Sequence, residues 1–503
     1  MVTATQISPH IVVIGAGLGG LAAAIRLLCR GYRVTVLEAN HQPGGRAAVF
    51  VRDGFTFDAG PTVVTAPYLL DELFALAGER FADHVDLRPV DPFYRVDFDD
   101  GARFDYVGDE ERIIAQIEAI APKDVAGYLR LAEHARQIFD VGYTQLAHLP
   151  FDRVADMLRV VPAMVHLQNY KTVHGLVAHY LKDPHLRVAL TFQPLLVGGN
   201  PFRTSSIYLL IHWLERKWGV HWPMGGTGSI VRAMAALVAR LGGELRYSAP
   251  VGEIEVDAAG VQAVRTEAGE RLACAAVVAN ADPSVVYPKM VAARWRKTWT
   301  DAKVARVTQS MSLFVLYFGL NKRYPALKHH TIVLGPRYKG LLDDIFVHRK
   351  LADDMSLYLH RPTASDPGMA PPGCDAFYVL SPIPNQLGHI DWASQEAAYR
   401  DRIFARLEQS HLPGLRDHLV TAFSCDARYF AQRLRSAQGA AFGPEPLLQQ
   451  SAWFRYHNRS EDVPGLYFVG AGTHPGAGMP GVLTSAKVLD AFLPALRTVT
   501  VRP

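Results

Sequence analysis

Cysteine is scarce in this chain. Its 503 residues hold only Cys29, Cys274, Cys374 and Cys425, far apart, with no C-x-x-C and no paired histidine spacing. A disulfide framework and a cysteine zinc site are therefore excluded, and no metal is expected. Isolated reduced thiols fit a reducing, cytoplasmic compartment. Excess charge is missing too. The formal net charge is +4, without the concentrated basic stripe that nucleic acid demands. Long apolar runs are also lacking. Val188 to Leu214 carries only Arg203, and Leu466 to Ala486 carries no charge, yet glycine and proline break both (Gly198-Gly199-Asn200-Pro201; Gly472 to Gly481). A membrane-spanning helix of about 20 residues rarely holds so many breakers. Met1 to His10 has no basic leader, and Ile11 to Ile14 is too short for a signal-peptide core. No transmembrane segment or signal peptide is expected.

What is present is globular: 49% hydrophobic and 20% charged, with enough chain for two or three domains around a substantial core. Ile11-Val12-Val13-Ile14 reads as a central parallel strand buried on both faces. From Leu18 the apolar period turns helical, through Leu21, Ala22, Ile25, Leu28 and Cys29, with Arg26 and Arg30 off that face. Gly31 supplies the stop, and Val34 to Leu37 the next strand. This is a βαβ unit with right-handed crossover. Residues 111–221 are predicted largely helical, punctuated by Pro162, Pro194 and Pro201. Beyond them, a helix over 229–241 precedes short strands around Leu245, Ile254, Val264 and Val277. Runs at 312–318 and 377–380 read as strands, 395–407 as a helix, 466–469 as a buried strand and 483–492 as a final helix.

Gly15-Ala16-Gly17-Leu18-Gly19-Gly20 follows the first strand and opens the helix. The first glycine permits the tight turn and the second lets backbone approach a pyrophosphate. Gly20 lets helix and strand pack closely. The helix N-terminus then offers free N–H groups to the phosphates. Glu38 closes the second strand, where a carboxylate accepts from a ribose diol and disfavours a 2′-phosphate. Dinucleotide binding follows, but these residues alone leave NAD and FAD open.

Three further segments separate the two. Gly44-Gly45-Arg46 resembles the signature with which a large FAD-dependent family, including amine oxidases and carotenoid desaturases, meets the cofactor's phosphates. Gly54-Phe55-Thr56-Phe57-Asp58-Ala59-Gly60-Pro61-Thr62 is similar to that family's segment beside the flavin. Near the end, a buried strand runs into a glycine-rich loop, 470–478, and a helix with Pro480 in its first turn. His474-Pro475-Gly476-Ala477-Gly478-Met479-Pro480-Gly481-Val482 resembles the C-terminal signature of bacterial-type phytoene desaturases. Leu196-Val197-Gly198-Gly199-Asn200-Pro201-Phe202, Leu214-Glu215-Arg216-Lys217-Trp218-Gly219-Val220, Pro223-Met224-Gly225-Gly226-Thr227-Gly228, 312–319 and 450–455 resemble further segments of those enzymes.

The resemblance covers nearly the whole chain. It implies an α/β fold, a Rossmann-type FAD-binding domain of the glutathione-reductase-like kind, with an inserted α+β domain for substrate and membrane. The expected boundaries are 1–110, 225–285 and 460–503 for the cofactor domain, and 111–224 and 286–459 for the substrate domain. It also implies an enzyme peripheral on a membrane that desaturates phytoene stepwise to lycopene or neurosporene, passing electrons to oxygen or a quinone. By position it places FAD on Gly15, Gly17, Leu18, Gly19, Gly20, Glu38, Gly45, Arg46, Gly60, Pro61, Thr62, Val251, Gly472, Met479 and Pro480. Competing readings are another polyene desaturase such as a dehydrosqualene-forming one, a redox-neutral carotenoid isomerase, and a soluble amine oxidase.

Phytoene is a hydrocarbon, so its oxidation removes a hydride beside a double bond and leaves an acidic allylic cation. A dedicated base need not exist, and positioning carries most of the rate. Asp152, Arg153 and Asp156 are weak catalytic candidates, and His474 sits near the expected flavin. The insert from Met157 to Trp222 is expected to form a membrane mouth and tunnel through Met157, Val160, Val161, Met164 and Leu167, then Ile207, Leu209, Leu210, Ile211 and Trp213.

Overall fold

A computed structural model describes residues 8–496. The segment Met1–Ile7, part of the leader reading, and the last seven residues lie outside the described range.

His10–Ile14 is the middle strand of a five-stranded parallel sheet, ordered 466–468, 276–279, 10–14, 33–37, 244–246. Ile11, Val12 and Val13 are buried on both faces, as a central strand covered by helices requires. Leu18–Cys29 packs against Thr227–Arg240 and Met479–Val488. Residues 466–488 thus return to the nucleotide fold that the N-terminus begins.

Arg26 is not merely off the apolar face. It is buried, donating to Glu72 Oε2 at 2.8 Å and Asp490 Oδ2 at 2.9 Å. The helix is covered on that side as well, so its cation meets two carboxylates instead of water.

The second sheet has seven strands, ordered 419–425, 312–320, 375–383, 357–360, 330–333, 94–97, 103–106. Tyr94–Asp97 and Arg103–Tyr106 therefore pair into this sheet, although residues 1–110 were expected in the cofactor domain. Thr331 to Val333 runs parallel to Arg95 to Asp97, a pairing 236 residues apart that local sequence does not encode. The helices Glu110–Ile120, Val125–Phe139, Val154–His166, Val173–Tyr180, Pro184–Ala189 and Leu210–Trp218 follow the 94–106 hairpin in the chain. Among the described residues no helix is long and apolar enough to cross a membrane.

The helix expected over 229–241 spans Thr227–Arg240, and that over 395–407 spans Trp392–Ser410. The last helix begins at Met479, a turn before Leu483, with Gly478 at φ 94° as its N-cap and Pro480 in its first turn. Proline costs nothing there, because first-turn N–H groups have no intrahelical partner.

Candidate active site

The site starts where backbone meets backbone. A Cβ on Gly20 would lie 2.0 Å from the Gly15 carbonyl oxygen, so only glycine lets the first helix touch the first strand. Gly15 itself turns at φ 96°. The loop at Gly44 and Gly45 pairs against Gly17, leaving a floor of bare backbone. A Cβ on Gly60 would lie 2.4 Å from the Arg46 carbonyl oxygen, which presses the segment 59–62 onto the same floor.

Glu38 is buried at the end of the second strand. Its Oε2 accepts from the Ala16 N–H at 2.7 Å, and its Oε1 from the Asn40 N–H at 2.9 Å. Arg46 donates through Nε to the Ala441 carbonyl at 2.5 Å and through Nη2 to Ser436 Oγ at 2.7 Å. Burial holds its pKa below the usual value, with Asp282 opposing. Its guanidinium thus ties the cofactor loop to the opposite wall, a role its motif did not announce.

These residues border one cavity of about 560 Å³. Gly15, Gly17, Leu18, Gly19 and Glu38 line it. So do Gly45, Arg46, Gly60, Pro61 and Thr62, and from later in the chain Val251, Met479 and Pro480. Two expected residues do not line it. Gly20 is spent on helix–strand packing. Gly472 sits under Pro283, whose Cδ a Cβ there would meet at 2.3 Å. The backbone floor, the buried ribose-side carboxylate and the N-terminus of Met479–Val488 opening into the cavity fit a dinucleotide with an anionic ring edge.

The other end of the cavity is apolar. Phe151, Met157, Val160 and Met164 line it, with Ile207, Leu210 and Ile211. Leu167 and Leu209 are core residues instead, Trp213 is half-buried outside the lining, and Val161 is exposed. The polar candidates beside this stretch face away. Asp152 Oδ2 accepts from Arg459 at 2.5 Å, Arg153 is exposed at the helix N-cap, and Asp156 lies 4.0 Å from Arg159. None of the three lines the cavity, because the helix turns Met157, Val160 and Met164 inward. His474 does line it, edge-on to Phe151 with ring centroids 4.9 Å apart. Burial, aided by Arg455, lowers its pKa to about 3, so it is neutral at physiological pH.

Sequence reasoning missed three polar features. Asp58 accepts from the N–H groups of Thr227 at 3.0 Å and Gly228 at 3.2 Å, clamping the 54–62 segment to a helix N-terminus. Burial raises its carboxyl to about 6. His329, His330 and His360 converge in the second sheet, buried, with ring nitrogens within 4.8 Å of one another. His330 and His360 are cross-strand partners, which chain spacing hides. Glu215 lines the apolar part of the cavity and is 1% exposed. Its Oε1 accepts from the Tyr94 hydroxyl at 2.7 Å. Burial raises its carboxyl to about 8. The one sequence signal was an acid next to Leu214 within a quoted family segment.

The family model for flavin containing amine oxidoreductase matches residues 18–488. The chain belongs to this family. It is an FAD oxidoreductase, and its α/β fold is the family's. It is 49% identical over 483 residues to a protein of Pantoea ananas named phytoene desaturase (lycopene-forming), covering 96% of this chain and 98% of that one. It is 43% identical over 490 residues to a protein of Rhodobacter capsulatus named phytoene desaturase (neurosporene-forming), covering 96% and 93%. Among solved structures, putrescine oxidase bound to putrescine superposes with a TM-score of 0.63 at 15% identity, covering 97% and 99%. At that identity the likeness is one of fold.

Proposed function

We propose that this oxidoreductase is a phytoene desaturase that introduces double bonds stepwise to give lycopene. The observation that carries the reading is one continuous cavity, with a glycine floor at one end and an apolar sleeve at the other. A hydrocarbon offers no polar handle, so a sleeve of methionine, leucine, isoleucine and phenylalanine is what it needs for alignment. The full-length relatives with desaturase names support the same assignment. FAD is held by Gly15, Gly17, Gly45 and Arg46, with Glu38 at the ribose, Val251 near the adenine, and the Met479–Val488 N-terminus toward the ring. When bound, FAD supplies a two-electron hydride acceptor. The protein's share is to align an allylic carbon and exclude water.

The substrate comes from lipid, since each buried CH₂ favours leaving water by about 0.8 kcal/mol. The helix Val154–His166 has two apolar faces. Met157, Val160 and Met164 look into the cavity, while Val154, Leu158, Val161 and Val165 are exposed along its outer side. Leu158 is 66% and Val165 59% exposed. Arg153 and Arg159 flank that stripe. A helix apolar on both sides, one toward a tunnel and one outward with cations beside it, suits a mouth resting in the headgroup layer. The enzyme is thus peripheral on the cytoplasmic membrane face, and its electrons pass to oxygen or to a membrane quinone.

Expression in a phytoene-accumulating host tests this. Chromatography should show red lycopene, whereas yellow neurosporene marks an earlier stop. Unchanged phytoene, or an altered double-bond geometry without added conjugation, overturns the reading. Anaerobic turnover that depends on added quinone separates the two acceptors.

A further inference from the structure

We infer that His329, His330 and His360 form a metal site that takes one divalent first-row transition ion of the zinc class. The inference does not depend on the desaturase reading. One ring nitrogen of each histidine lies within 4.8 Å of the other two, and all three side chains are buried. Scattered cysteines give no reason to expect a metal, and chain spacing hides these histidines because two strands bring them together. His330 opens the strand His330–Val333 and His360 ends Leu357–His360, as direct antiparallel partners. Such partners present their side chains on one face of the sheet. The His329 ring stands edge-on to that of His330, the planes at 79°.

The hydrogen bonds around the rings sort their nitrogens into two kinds. His330 Nδ1 meets the Phe93 carbonyl at 3.0 Å, and His329 Nδ1 meets Ser365 Oγ at 2.7 Å. A carbonyl only accepts, so His330 carries its proton on Nδ1 and a lone pair on Nε2. Ser365 accepts from His329 in the same way. The Nε2 atoms of both rings are buried without a hydrogen-bond partner, as are both nitrogens of His360. A metal-binding histidine has this arrangement, one nitrogen held by an outer oxygen and the other left for the ion. Four such unpaired nitrogens in one place are costly to bury, and an ion engages three of them.

The spacing is that of ligands around a common atom. A Zn–N bond of about 2.0–2.1 Å puts each imidazole centroid about 3.2 Å from the ion, and tetrahedral bonds then separate centroids by about 5 Å. The three centroid distances are 4.5, 4.8 and 5.2 Å. Ligation therefore asks for rotation of rings more than for movement of strands. Among the described residues no carboxylate or thiol joins the cluster. Magnesium and calcium, which want oxygen, are thus disfavoured, whereas imidazole suits zinc and its neighbours.

Aromatic rings surround the cluster. Trp222 lies 4.9 Å from both His329 and His360 by ring centroids. Tyr94 and Tyr358 each lie 5.6 Å from His330, and Tyr378 lies 6.0 Å from His360. These three tyrosines line the cavity and the histidines do not. The site thus sits behind the cavity wall, where its ion holds the strand pair and the tyrosines in place without touching substrate. Buried so deeply, it fills as the chain folds.

The test uses untagged, flavin-loaded enzyme expressed in zinc-supplemented medium and dialysed against EDTA. Wild type should retain about one zinc per chain by elemental analysis. His330→Gln and His360→Gln, each keeping a polar side chain, should lower that content by about tenfold or more. Both should melt several degrees lower while flavin absorbance per protein stays at the wild-type level. X-ray absorption at the zinc edge of wild type should show imidazole scattering with Zn–N at about 2.0–2.1 Å. Wild type holding less than about a tenth of an equivalent overturns the inference, and the cluster is then a hydrated pocket. Zinc content unchanged in both variants puts the metal elsewhere and overturns it equally. If neither variant folds, the wild-type absorption spectrum decides, and oxygen or sulfur ligands without imidazole overturn the assignment.

Discussion

At the scale of single residues, the cavity is made by side chains that are absent as much as by those present. Gly20→Ala puts a methyl 2.0 Å from a backbone oxygen, an overpacking that costs about 1–3 kcal/mol or more. The variant should purify colourless or poorly folded, as flavin absorbance per protein will show. This glycine was legible in sequence because its role is forced by geometry within six residues. Asp152, Arg153 and Asp156 were not legible, since their phase on a helix with two apolar faces is a tertiary matter. Asp152→Asn should lose only the partly exposed pair with Arg459, worth about 0–1 kcal/mol. Turnover should stay within a factor of about three in a steady-state assay, and a larger loss would return Asp152 to the chemistry. Glu215 couples to stability as well. Its folded pKa is raised from 4.5 to about 8 by burial, so the fold favours the protonated acid. That stability is fully present below about 4.5 and drains away as pH climbs through about 8. Wild type should therefore lose more melting temperature than Glu215→Gln between pH 6 and 9 in parallel calorimetric scans.

At the scale of elements, the helix Val154–His166 joins sequence to function. Its apolar residues were legible, but periodicity could not say which look inward and which outward. Only the neighbours supply that phase. The outer stripe predicts that Leu158→Glu with Val165→Glu weakens sedimentation with anionic liposomes by tenfold or more. Burying each of these side chains is worth about 1.5–3 kcal/mol, and a carboxylate in its place reverses the sign. Flavin content should not change, because neither residue lines the cavity. Undiminished liposome binding would move the mouth elsewhere. The hairpin 94–106 shows the opposite limit. Nothing local told that it pairs into the second sheet, since the deciding partners lie at 331–333. Glu215 was hidden for the same reason: its hydrogen-bond donor, Tyr94, comes from that hairpin.

At the scale of the whole molecule, the glycine-floored end of the cavity is lined from within residues 15–62, by Val251 and from within 470–482, so no contiguous piece of chain contains it. The strand Leu466–Phe468 forms one edge of the parallel sheet, and Met479–Val488 packs on the first helix. Arg26 ties that closing end down through Asp490. Flavin should therefore act as a bolt between the two ends of the chain. A ligand that binds only the folded state adds stability as RT ln(1 + [L]/Kd), about 2.7 kcal/mol at a hundredfold excess over Kd. Stripped enzyme should melt several degrees below the loaded form, and added FAD should restore the difference in proportion to the logarithm of its concentration. Removing everything after Ser460 should abolish flavin binding altogether, because it deletes both an edge strand and the helix N-terminus that opens into the cavity. On heating the loaded enzyme, flavin fluorescence should appear together with the loss of far-ultraviolet circular dichroism. Flavin escaping well before the secondary structure melts would mean that the ends part independently, and that the first sheet is not held by its cofactor.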